Sequence, residues 1–185
     1  DRALTIDVQS DVWTRDIPMR TSADLGTFRD VETLPIRYGR NVPGKLISIN
    51  QARTLWLWAD HASLAIRSVT IDGQPSDGWT WRNDIDASGH PITVVQTVEQ
   101  IDDGADMVAV GDGALDATTG ALLVNPADIA RDVCTRGGLA VDRGDFAAYR
   151  AECLARNLEL SGTVEGGSLQ SVMTRIAEST HSAFA

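Results

Sequence analysis

Two hydrophobic periods divide this chain. Up to about residue 124 the apolar residues alternate with polar ones or gather in short runs; beyond residue 138 they recur at helical spacing. Leu4, Ile6 and Val8 alternate with Thr5 and Asp7, which predicts a half-buried strand. Residues 10–33 have no clean period and contain Pro18, Gly26 and scattered charges, so they read as an extended arm or long loop. Such an arm could bury Trp13, Ile17, Met19 and Phe28 on a neighbouring subunit. Strands are expected over 34–40, 45–50, 54–59, 65–71, 92–101 and 106–110. Pro35 restricts the first to a strand start or an edge, and Pro43-Gly44 reads as a turn. The 54–59 run, T-L-W-L-W-A, is bulky on both faces and should be buried on both. Asp72-Gly73 is a strong turn signal, and Trp79 and Trp81 share one strand face around Thr80. Gly104 and Gly111-Asp112-Gly113 bound the last strand, and 115–119 is a turn region.

The period changes at L-L-V-N-P-A-D-I-A-R-D-V-C-T-R-G-G, residues 122–138. Asn125 is a good N-cap, Pro126 suits the first helical position, and Asp128 sets a carboxylate against the positive helix start. Ile129, Ala130, Val133 and Cys134 repeat at the spacing of one buried face, and Gly137-Gly138 supplies the stop. A second helix, capped by Asp142 or Asp145, carries Phe146, Tyr149, Cys153 and Leu154 on one side and ends at Asn157. Leu158, Leu160 and Val164 alternate as a strand. Ser168 then caps a third helix with Leu169, Val172, Met173, Ile176 and Ala177 on its buried face. The fold class is therefore α+β: a β-rich sandwich or barrel-like unit followed by a helix-helix-strand-helix segment. Three parts follow: an N-terminal strand and arm over 1–33, a β-rich domain over 34–124 and an α-rich segment over 125–185.

Composition changes this picture little. Hydrophobic content of 43% and charged content of 23% suit a globular protein with a sizeable core. No apolar run approaches the roughly 20 residues of a membrane span. The net charge of −10 splits into −8 over residues 1–124 and −2 over 125–185. That balance argues against a nucleic-acid-binding surface, which wants clustered Lys and Arg. Cys134 and Cys153 both fall on apolar helix faces, so free buried thiols are expected. Two cysteines supply no metal framework.

Candidate chemistry is sparse. His61, His90 and His181 show no metal-ligand spacing. A Ser–His–Asp site at His61 would need Ser63 or a distant serine, and no nucleophile elbow is present. Asp102, Asp103, Asp106 and Asp112 cluster as calcium ligands can, without the register of a calcium loop. Asp84 and Asp86 invite the paired-carboxylate reading of a glycosidase. Gly111-Asp112-Gly113 is no phosphate loop. Trp79 and Trp81 pack as core or form a sugar-binding platform. No catalytic, cofactor-binding or metal residues are assigned, and no cofactor is expected.

Three stretches in shared order resemble the central baseplate hub or tail-tip proteins of long-tailed bacteriophages and related gene-transfer particles. Leu34-Pro35-Ile36-Arg37-Tyr38-Gly39-Arg40 is similar to their I-P-I-x-Y-G segment. Ala59-Asp60-His61, leading through Ile66 and Val69 to Asp72-Gly73, resembles a passage ending in a D-G turn. Residues 119–129, with Asn125-Pro126-Ala127-Asp128-Ile129, resemble an N-P-A-D-V/I helix start, and 146–157 the F-x-x-A-x-x-Y-C helix, with Cys153 at its cysteine. The resemblance implies a virion structural protein, not an enzyme, that assembles at the tail end, usually as a homotrimer. Other tail and baseplate proteins would be its partners, and it would be put together in the bacterial host cytoplasm. A carbohydrate-binding module contacting the host surface is the alternative.

Overall fold

The computed structural model describes residues 14–25, 32–141, 144 and 146–180. The expected strand at Leu4–Val8, the caps Asp142 and Asp145, and His181 lie outside them. The chain is α+β, with a β-rich unit, and its contacts gather into two compact units. The β unit comprises Met19–Leu122 and Ser161–Glu165; the helical unit comprises Asp1–Pro18, Leu123–Leu160 and Gly166–Ala185. Each is therefore discontinuous in sequence, where the hydrophobic pattern suggested consecutive blocks.

Among the described residues ten strands build the β unit: β1 (Ile36–Tyr38), β2 (Val42–Lys45), β3 (Ile47–Ser48), β4 (Leu55–Ala59), β5 (Ser63–Ile71), β6 (Gln74–Ser76), β7 (Trp79–Ile85), β8 (Pro91–Thr97), β9 (Met107–Ala114) and β10 (Gly162–Val164). One antiparallel sheet has the order β2-β9-β5-β6 and another β3-β4-β8-β7, with β1 and β10 as a separate pair. Val42, Ile66, Val69, Met107 and Ala109 of the first sheet share one core with Trp56, Trp58, Ala59 and Val95 of the second. The two sheets thus bury their inner faces against each other, as a sandwich does. The outer face of β4 and β8 holds a second cluster of Leu34, Leu57, Ile92 and Val94, against which Leu25 packs. This explains the T-L-W-L-W-A run. Trp56 points inward and Leu57 outward. A register shift between Leu57 and Ala59 then lets Trp58 and Ala59 both join the inner core.

Two turn assignments are corrected. Pro43-Gly44 lies inside β2, an edge strand where a missing N–H can be tolerated. Gly111-Asp112-Gly113 lies inside β9 rather than closing it. A Cβ on Gly111 would come within 2.5 Å of the Ala65 carbonyl oxygen, and one on Gly113 within 2.1 Å of the Arg37 carbonyl oxygen. These glycines permit close backbone approach; they do not turn the chain. Asp72-Gly73 does turn it, both residues having positive φ (51° and 76°) between β5 and β6.

The first part of the arm folds onto its own chain. The Leu34 N–H bonds to the Arg20 carbonyl at 2.8 Å, and the Ser22 N–H to that of Glu32 at 2.8 Å. Ile17, expected to seek a neighbour, is only 3% exposed within this chain.

In the helical unit, α1 (Pro126–Arg136), α2 (Ala147–Ala155) and α3 (Leu169–Thr180) pack by their apolar faces. The Asn125 Oδ1 accepts the Ala127 N–H at 3.0 Å, the cap its position suggested. Gly138 takes φ 85°, and the Leu139 N–H returns to the Cys134 carbonyl at 3.0 Å, closing α1. Cys134 and Cys153 are free and buried. Burial pushes the Cys134 thiol up to about 12. Phe146, Tyr149 and Cys153 line the buried side of α2, but Leu154 is 54% exposed, against the expected face. Among the described residues no helix is long and apolar enough to cross a membrane.

Candidate functional site

His61 and Ser63 do come together, at 3.3 Å between Nδ1 and Oγ. Their bonding is that of a framework. The Arg37 backbone N–H donates to His61 Nε2 at 2.9 Å, which assigns the ring proton to Nδ1, facing the Ala62 carbonyl at 3.0 Å. A ring so arranged has no free basic nitrogen to take the Ser63 proton. The Thr93 hydroxyl lies 2.8 Å from Ser63 Oγ and 2.7 Å from the His61 carbonyl. Asn83 grips the Ser63 backbone, accepting its N–H at 2.9 Å and donating to its carbonyl at 2.9 Å. Ser63 is 1% and His61 4% exposed, too little for a substrate to reach.

The carboxylate pair separates. Asp84 is half-buried and bonds to Arg82 at 3.0 Å; the Ile85 N–H first, then Arg82, hold its carboxyl below the usual range. Asp86 instead builds the β7–β8 turn. It accepts the Ser88 hydroxyl at 2.7 Å and the N–H groups of Ser88 and His90 at 2.8 and 3.0 Å, and its pKa is lowered, chiefly by the Ser88 hydroxyl. Arg20 pairs with this buried carboxylate and with Asp60 at 2.8 Å, tying the arm to the sheet. His90 Nε2 lies 3.2 Å from the Asp60 carbonyl.

The acidic cluster separates too. Asp112, with no exposed surface, is held by both Arg67 nitrogens and the Asn41 N–H, and Arg67 foremost lowers its pKa. Arg67 occupies the extra position of a bulge in β5, which frees it for this contact. Asp103 pairs with Arg53 at 3.4 Å. Among the described residues no group of three or more His, Cys, Asp or Glu could hold a metal. Trp79 and Trp81 are half-buried against the sandwich core, and the Trp79 indole donates to the Ser76 carbonyl at 2.6 Å. A stacking platform needs exposed ring faces.

Two features had no sequence signal. Arg37 on β1 is 2% exposed. It lies 5.1 Å from the Trp58 ring and donates once, to the Lys45 carbonyl at 3.1 Å, leaving Nε and Nη1 without acceptors. Burial pulls this guanidinium down to about 10. The second feature is a cavity of about 210 Å³ in the β unit. Its lining includes Glu32, Lys45, Trp56, Asp102 and Asp106. Trp56 is 5% exposed and its indole N–H has no acceptor.

No protein-family model matches the chain, and no curated protein or solved structure does.

Proposed function

We propose that this chain is a virion structural protein, a baseplate hub or tail-tip component that forms a homo-oligomeric ring, a trimer, at the end of a phage tail. Other tail and baseplate proteins are its partners, and its role is geometric, without catalysis. One observation carries the reading: the residues of the shared motifs serve as framework. Ile36, Arg37 and Tyr38 are buried in β1, His61 fastens the Arg37 backbone, Asn125 caps α1, and Cys153 lies on the buried side of α2. Residues that act as joints rather than lining a reacting cleft suit a scaffold.

The reading is tested on particles. Tails purified from a producing bacterium are analysed by mass spectrometry and by immuno-electron microscopy with an antibody to this chain. Label at the distal tail end, at a small whole-number copy count, is the expected result. Tails that lack the chain, or label along the tube or on the capsid, overturn it.

A further inference from the structure

Sheet edges leave backbone groups unpaired, and folds guard them with proline, charge or brevity. Three of the four edge strands of the two larger sheets are guarded in this way. β2 carries Pro43 and Lys45, β3 has two residues, and β6 has three, one of them Pro75. The fourth, β7, has seven residues, with no proline, no lysine and no shift of register. The Val98 N–H donates to the Gly78 carbonyl and the Asp86 N–H to the His90 carbonyl, both at 3.0 Å. Bonded positions alternate along an antiparallel ladder, so Thr80, Arg82 and Asp84 aim their backbone groups at β8. Those of Trp79, Trp81, Asn83 and Ile85 aim away from it. Among the described residues, the one partner these groups find is the Asp84 Oδ1, which accepts the Ile85 N–H at 2.9 Å. Backbone groups left unpaired must meet water, and Asn83 and Ile85 are exposed, Ile85 by 68%.

The sequence of the strand specifies the occupant. Two copies of β7, antiparallel about a two-fold axis at Asn83, set Arg82 of each opposite Asp84 of the other and Trp81 opposite Ile85. That register puts Trp81, Asn83 and Ile85, the residues with outward backbone groups, in bonded pairs. Arg82 and Asp84 then fall in non-bonded pairs, where facing side chains come closest. Moving the axis by one residue sets Arg82 against Arg82 or Asp84 against Asp84, like charge on like charge. The Arg82 and Asp84 side chains are 47% and 41% exposed, and they bond to each other, Arg82 also to Gln96. Both are placed to exchange their own pair for the one across the axis. Once Arg82 of the second copy takes the Asp84 carboxylate, the Ile85 N–H is released to the new ladder.

We infer that β7 is a docking edge for a second copy of this chain, which continues the sheet antiparallel across a two-fold axis at Asn83. A two-fold contact closes on itself, so it pairs two chains or two rings and does not build a ring. It goes beyond the tail-tip reading and stands or falls separately from it.

The test is sedimentation equilibrium of the full chain. A contact of one strand with another is small, so a Kd on the order of 10–100 µM is expected, and the mass should double across that range. Arg82→Asp sets like charges opposite one another twice and should weaken the doubling at least about tenfold. Arg82→Asp/Asp84→Arg restores opposite charges in the same register and should recover it. Urea unfolding midpoints should stay close to wild type in both variants, since the exposed pair adds little to the fold. A second measurement reads the register directly. Arg82→Cys and Asp84→Cys chains, mixed under mild oxidation, should form a disulfide with each other far faster than either does alone, while Cys134 and Cys153 stay buried. A wild-type mass equal to that of Arg82→Asp at every concentration overturns the inference, as a ring alone would give. So does a double variant no better than the single one, or cross-linking no faster in the mixture than in the separate chains.

Discussion

Replacing Gly44 by alanine puts a methyl group where Arg37 already lies. A Cβ there would sit 2.1 Å from Arg37 Nε and 2.2 Å from Cζ and Nη2. Ordinary carbon contacts start near 3.5 Å, so the guanidinium must move by about 1.4 Å. It has little room, being 2% exposed with the Trp58 ring 5.1 Å from it. Overpacking of this kind costs about 1–3 kcal/mol, and displacement also forfeits the charged hydrogen bond to the Lys45 carbonyl. Gly44→Ala should therefore destabilise the protein by about 3 kcal/mol. In an Arg37→Ala background the obstruction is gone. There the same substitution should stabilise by about 0.5 kcal/mol, because glycine is a poor strand residue. The assay is urea unfolding of the wild type, both single variants and the double variant. The expected coupling is about 3.5 kcal/mol, far above the few tenths seen for independent sites. Additive effects, with Gly44→Ala equally harmful in both backgrounds, would refute the placement of Arg37.

Other outcomes are equally measurable. With its thiol pushed up to about 12, Cys134 should be ionised at a level on the order of 10⁻⁴ at pH 8, so a disulfide reagent such as DTNB should react with it only on unfolding. Fast labelling of the folded protein at Cys134 would contradict its burial. Arg67→Ala strands the buried Asp112 carboxylate and should destabilise the protein at neutral pH, read by urea unfolding. Because Asp112 is held below its ordinary value of 3.8, the folded chain binds that proton more weakly than the unfolded chain does. The stabilisation is thus present above about pH 4 and lost as the pH falls further, so the wild-type advantage over Arg67→Ala should shrink in acid. A pH-independent difference would count against the ion pair. Asn125→Ala should lower stability by about 1 kcal/mol, while Asn125→Ser, which keeps a cap acceptor and drops the unpaired Nδ2, should stay within about 0.5 kcal/mol of wild type. Equal effects of the two, by thermal or urea unfolding, would remove the cap from the account.

Local chemistry was legible where it acts locally. Asn125, Asp72-Gly73 and Gly138 impose caps and turns through their own side chains or backbone freedom, so their neighbours in sequence suffice to read them. The helix faces of α1 and α3 followed from period alone. Gly44, Gly111 and Gly113 were misread for the opposite reason: each answers to another strand, Gly111 and Gly113 to backbone far along the chain at Ala65 and Arg37, and Gly44 to the Arg37 side chain. A glycine that admits a distant atom looks in sequence like one that makes a turn. Arg37 carried the same ambiguity, since an arginine between Ile36 and Tyr38 reads as an outward-facing strand residue. Its neighbours on β1 are buried as well, which leaves no outward face for it to occupy.

The candidate sites show a related asymmetry. Among the described residues, those whose type suggested catalysis are spent on satisfying backbone or charge nearby. His61 accepts an amide, Asp86 builds a turn, Asp112 neutralises Arg67, and Ser63 is fixed by Thr93 and Asn83. Buried polar groups must be paired, and a fold with so many strand crossings consumes them. Glu32 is far in sequence from Asp102 and Asp106, whose clustering the sequence did show, and Trp56 reads as core. They meet only because β3, β4 and the loop before β9 converge beside the arm, which no spacing rule encodes.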